Sequence, residues 1–166
     1  MSTAPKTWAV QLSAEHPAYQ RVELKRRHPQ SPDYEVVVVP TQALLDLWSR
    51  DTSYFLPPVD QWTPEKRNGI RDFLDPADPG FAEMPVVSVH TRTVVEWSWW
   101  PPFRRIHELP VVAFTNGRHR ARYLAAAGAQ HLPVEVTQRS APKLKALCGL
   151  SVTPASSSSL IQAGHT

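Results

Sequence analysis

Between residues 109 and 136 the chain changes its hydrophobic period twice, and this constrains the fold more than any other feature. Residues 109–115 (LPVVAFT) are apolar and rich in valine, and Asn116-Gly117 is a turn pair. The next segment places Ala121, Leu124 and Ala125 on one face, Gly128 interrupts it, and residues 132–137 return to alternating apolar character. In order, these are a strand, a tight turn, a helix of about three turns with a left-handed glycine stop, and a second strand. Such a unit can bury its helix only against a sheet. Thr115 and Asn116 are the candidate helix caps.

The remaining chain supplies further short elements. Residues 8–12 and 19–26 read as strands, the second half-buried with Val22 and Leu24 inward. Residues 34–39 (YEVVVV) form a β-branched, buried strand. A helix opens at Pro40-Thr41 with Thr41 as its cap and Ala43, Leu44, Leu47 and Trp48 as its apolar face. Thr63-Pro64-Glu65 is a strong second start, with a cap, a first-turn proline and an acid on the dipole. That helix is expected to reach Leu74, with Ile70, Phe73 and Leu74 inward. Residues 84–89 read as a strand and 142–148 as a short last helix, whereas 91–103, with Trp97, Trp99, Trp100 and a Pro-Pro pair, resist assignment.

Strands and helices thus mix without strict alternation, which predicts an α+β domain: a mixed sheet covered by a few helices. One domain is expected over residues 1–150, followed by a Ser-rich tail at 151–166 without fixed structure. No apolar run approaches the ~20 residues of a membrane span, and no secretory leader is visible. Cys148, the single cysteine, cannot form an internal disulfide. A cytoplasmic protein without membrane insertion is the expectation.

Charge is distributed unevenly. Residues 51–100 carry four Lys/Arg against eight Asp/Glu, whereas residues 101–166 carry eight against two. The basic third contains the Gly117 turn, which favours a polyanionic partner there. Helix starts present free N–H groups and partial positive charge. Arg118, His119, Arg120 and Arg122 add mobile cations to that field, at about 0.5 kcal/mol each in the absence of an anion. A bound phosphate reverses this cost, and arginine forks suit phosphate oxygens. Asn116, Gly117, Arg118, His119, Arg120 and, from the other helix start, Lys66 are the candidate binding residues. His119 and Arg120 are the candidate catalytic pair, the first for proton transfer and the second for phosphoryl charge. Asp72, Asp75, Asp78 and Glu83 lack metal-motif spacing, and the histidines match no zinc pattern, so no protein-held metal site is expected. Glu96 and Glu135 are general bases only by elimination.

Gly117-Arg118-His119-Arg120-Ala121-Arg122, followed by the Ala-rich helix, Gly128 and a Pro-containing strand, resembles the ParB/sulfiredoxin-like fold, in which a Gly-x-x-Arg turn opens a helix between two strands. The resemblance departs from sulfiredoxins at the reactive cysteine, here Arg118, which excludes their thiol chemistry. It departs from ParB proteins in having too little chain after this module for a helix-turn-helix domain. With the WWPPF stretch at 99–103 and AFTNGRHR at 113–120, the chain more closely resembles plasmid fertility inhibition factors of the Osa/FiwA type.

That resemblance implies a plasmid-encoded bacterial protein that blocks conjugative DNA transfer of another plasmid. Its partner would be the coupling protein or a component of the type IV secretion channel. The resemblance further implies binding of ATP or another nucleotide, with Mg²⁺, and accompanying ATPase and DNase activity. Two other functions stay open: a non-enzymatic inhibitor acting through the Trp-rich surface, and a nonspecific DNA-binding module. The tryptophans themselves could pack a lid on the sheet, stack a base or form a protein interface.

Overall fold

The strand–turn–helix–strand unit forms around a strand buried on both faces. In the computed structural model, which describes residues 6–78 and 80–150, β7 (His131–Thr137) lies inside a four-stranded sheet. Leu132, Val134 and Val136 face one side and Glu135 the other, all fully buried. The valine-rich β3 (Tyr34–Pro40) pairs antiparallel with β7 from Tyr34↔Thr137 to Pro40↔His131. On the other side β5 (Val86–Trp99) meets β7 in parallel at Val86↔Glu135 and pairs antiparallel with β6 (Pro102–Asn116) along its length. The order is β3-β7-β5-β6.

A second, three-stranded sheet joins β1 (Thr7–Gln11), β2 (Arg21–Lys25) and the two-residue β4 (Ala82–Glu83), with β2 antiparallel to β1 and parallel to β4. The described helices are α1 (Thr41–Ser49), α2 (Pro64–Phe73), α3 (Arg118–Ala126) and α4 (Ala141–Leu147), with a 3₁₀ turn at Val59–Gln61. The α+β class expected from the sequence is the one observed, with a second small sheet beside the first. The Ser-rich tail expected at 151–166 lies outside the described residues.

Several local expectations change. Thr41 is not a cap but the first residue of α1; Pro40 occupies the cap position, where it has no side-chain oxygen to offer. Thr115 and Asn116 do not cap α3, because Gly117 takes that position in the left-handed conformation. Thr63 caps α2 as expected, accepting from the Lys66 N–H at 3.3 Å. Leu74 is buried and Ile70 half-buried, but Phe73 is exposed, since it lies on the α2 side nearest the Arg120 guanidinium rather than over the core.

The largest change concerns residues 84–115. The two short strands expected there are the bases of one hairpin, whose strands run 14 and 15 residues. Residues 91–103, unassigned from sequence, are its outer half. Because β7 meets β5 only at its start, most of this hairpin projects as a two-stranded arm. Trp97, Trp99 and Trp100 are 75%, 89% and 79% exposed, so they pack no lid on the sheet.

Candidate functional site at the start of helix α3

Gly117 links β6 to α3 at φ +82°, a conformation that costs residues with a Cβ roughly 1–2 kcal/mol. A Cβ there would also lie 2.8 Å from the Pro85 Cα and 3.1 Å from the Arg120 guanidinium. The glycine therefore serves the turn and its close packing on the chain before β5.

Arg120 explains that packing. It is buried, and its guanidinium donates to the Glu83 carbonyl oxygen and, at 3.0 Å, to Asn116 Oδ1. Phe73 lies 5.5 Å from the guanidinium carbon. The side chain thus ties α3 to β4 and to the end of β6. Two of the expected binding residues, Asn116 and Arg120, are bonded to one another.

Arg118, His119 and Lys66 are placed differently. Arg118 stands over the Tyr54 ring at 4.1 Å. Trp62, buried just before α2, is met edge-on by the His119 imidazole at 5.7 Å and covered by Lys66 Nζ at 4.5 Å. Its indole N–H donates to the Pro57 carbonyl at 2.9 Å, which fixes the ring. The starts of α2 and α3 therefore converge on one tryptophan through His119 and Lys66, while Arg118 covers Tyr54. Among the described residues none of the three forms an ion pair. Partial burial, then the charges of Lys66 and Arg118, push the His119 pKa down, so its neutral form is favoured in the absence of an anion. Arg122, on the next turn, covers Trp48 at 4.7 Å and donates to the Leu56 carbonyl at 3.3 Å.

Sequence reasoning missed Tyr54 and Trp62, the floor of this cluster. The available signal was an aromatic residue in a Pro-rich connection immediately before a well-capped helix. Of the two bases named by elimination, Glu135 is fully buried and already engaged. It accepts from Arg26 Nε at 2.8 Å, from the Arg27 N–H at 2.9 Å and from the His28 N–H at 3.2 Å. It organises the chain after β2 and points away from solvent. Glu96 lies on the arm, 3.9 Å from His107. Among the described residues no group of three or more His, Cys, Asp or Glu side chains is placed to hold a metal ion, and no helix is long and apolar enough to cross a membrane.

Comparison with known proteins places the chain in a family. The crystal structure of Oncogenic Suppression Activity Protein, a plasmid fertility inhibition factor, as its gold(I) cyanide derivative, superposes with a TM-score of 0.57. The identity is 19%, and the match covers 88% of this chain and 70% of that one, a likeness of fold. No curated protein matches the chain. The plasmid fertility inhibition factor profile matches residues 36–149, from β3 to the end of α4, and so includes both helix starts and the arm. The chain belongs to the plasmid fertility inhibition factor family.

Proposed function

We propose that this protein blocks conjugative transfer of another plasmid at the coupling-protein or type IV secretion step, and that it binds a nucleotide phosphate at the start of α3. The observation that carries the second part is the convergence of His119 and Lys66 on Trp62 and of Arg118 on the neighbouring Tyr54, at two helix starts, with none of the three in an ion pair among the described residues. Free N–H groups and mobile cations there suit the β- or γ-phosphate of ATP or another nucleotide. Mg²⁺ would arrive on the phosphates.

In this reading Arg118 and Lys66 bind the phosphate, and Gly117, Asn116 and Arg120 hold the turn that presents Arg118. His119, neutral at rest, donates to the anion or orients water. Nucleotide hydrolysis and DNA cleavage are the activities such a site would serve, through neutralisation of phosphoryl charge.

A mating assay tests the whole reading. Donor cells producing the protein should transfer a co-resident conjugative plasmid at reduced frequency, and the Lys66→Ala/Arg118→Ala variant should restore transfer. Transfer unaffected by the wild-type protein would end the first part. Inhibition retained by the folded double variant would end the second and direct attention to the arm.

A further inference from the structure

The sheet face that the helices cover at the base of the β5–β6 hairpin continues uncovered along the arm. Strand alternation and the observed register define it: Thr91 opposite Pro110, Thr93 opposite Glu108, Val95 opposite Ile106, Trp97 opposite Arg104, Trp99 opposite Pro102. Nearer the base the same face carries Val89 with Val112 and Val87 with Phe114, the last against Trp48 of α1. Beyond Thr91 no layer lies on it among the described residues, and Val95, Ile106, Trp97 and Trp99 are 40%, 55%, 75% and 89% exposed.

This stripe is complementary to itself. A two-fold axis crossing the strands at the Val95–Ile106 pair lays β5 over β5 and β6 over β6 with direction reversed. Trp97 then faces Thr93 of the second copy, Trp99 faces its Thr91, and Val95 and Ile106 meet their own counterparts. Large rings oppose small side chains, as packed layers at about 10 Å require. The charges also match, because Arg104 faces Glu108 of the second copy, and the reverse, so each arm supplies one of each sign. At the outer end Trp99 reaches the base of the other arm. There Lys143 donates to Thr91 Oγ1 at 2.9 Å and Arg50 to the Pro110 carbonyl at 3.1 Å, and both cations suit an aromatic neighbour. The exposed rings and their surroundings amount to roughly 700 Å² per copy, close to the ~800 Å² per partner of a stable interface.

We infer that the arm is a dimerisation surface, in which two copies of this chain pack their β5–β6 ribbons face to face and antiparallel about the Val95–Ile106 pair.

Sedimentation velocity over a range of concentrations tests this with the full chain. The wild type should form a dimer that Trp97→Ser/Trp99→Ser dissociates without loss of helical signal. Arg104→Glu and Glu108→Arg should each raise the dimer dissociation constant about tenfold. Their combination, which restores opposite charges across the axis, should recover most of the loss. A chain that is monomeric throughout overturns the proposal, including one that uses the tryptophans to bind anionic vesicles or a single-stranded oligonucleotide. A dimer that survives the double serine variant also overturns it, because another face would then hold the copies together. Failure of the double charge swap to recover association overturns the reversed register.

Discussion

The start of α3 and the tip of the β5–β6 arm both bring cations to aromatic rings, with opposite layouts. At α3 the rings are interior: Trp48 and Trp62 are each 4% exposed, and Arg122, Lys66 and His119 close over them from outside. On the arm the rings are outermost: Arg104 lies over Trp97 at 5.6 Å, yet that ring stays 75% exposed. The difference arises from layering. The 57–62 connection meets both helix starts, so Trp62 finds a pocket, whereas the arm has outrun every other described element. The same residue types therefore make a scaffold for a polar site in one place and an unpartnered apolar surface in the other.

Truncation should separate the two most strongly. Trp62→Ala removes a buried ring under two helix starts and should cost about 3–5 kcal/mol in urea unfolding. A loss near zero would mean that Trp62 is not the floor of the site. Arg120→Met is next: it leaves the Glu83 carbonyl and the Asn116 amide oxygen without their donor and should cost about 2 kcal/mol. Arg120→Lys should recover only part of this, since one ammonium cannot reproduce the fork. Full recovery would assign the residue a simple charge role.

A smaller effect depends on pH. The folded-state pKa of His119 lies below the ordinary 6.5, so the unfolded chain takes up a proton first as pH falls. Stability is therefore unaffected above the ordinary value and declines as pH drops through it. His119→Gln should remove that part of the decline, seen by comparing unfolding midpoints of the two proteins across the histidine range. An identical slope in both would show that burial and the neighbouring charges do not act on this group. Anion binding acts in the opposite sense, favouring the protonated ring, and should take up a proton in the wild type only. The smallest effect is expected on the arm: in the dilute monomer Trp99→Ala should change stability by no more than about 0.5 kcal/mol. A loss comparable to that of Trp62→Ala would mean that the arm folds back onto the body.

What could be foreseen from the sequence follows the same divide. The unit from β6 to β7 was legible because its signals are local: a period change, Asn116-Gly117 at one end of the helix and Gly128 at the other, whose φ of +93° is the expected stop. Thr63-Pro64 marked α2 for the same reason. The arm was not legible, although Trp97 and Trp99 alternate with Glu96 and Ser98 as a strand requires. Nothing local states whether a second layer exists, and the pairing with residues 102–116 is set by the whole hairpin. At the site, the cationic turn was visible but its division of labour was not. Arg118 and Arg120 lie two residues apart and so point to different sides of α3. Only the position of β4 decides that Arg120 is the one enclosed. Phe73 was misplaced for a related reason, since its helical spacing fits the core face while its neighbour is the Arg120 guanidinium.

The most direct test of the phosphate site is a calorimetric titration of ATP, with Mg²⁺ present, into the wild-type chain and into Lys66→Ala/Arg118→Ala, both shown to be folded by their unfolding curves. The account predicts saturable binding by the wild type that the double variant loses. Binding of equal strength by both proteins, or none by the folded wild type with ATP or CTP, would contradict it.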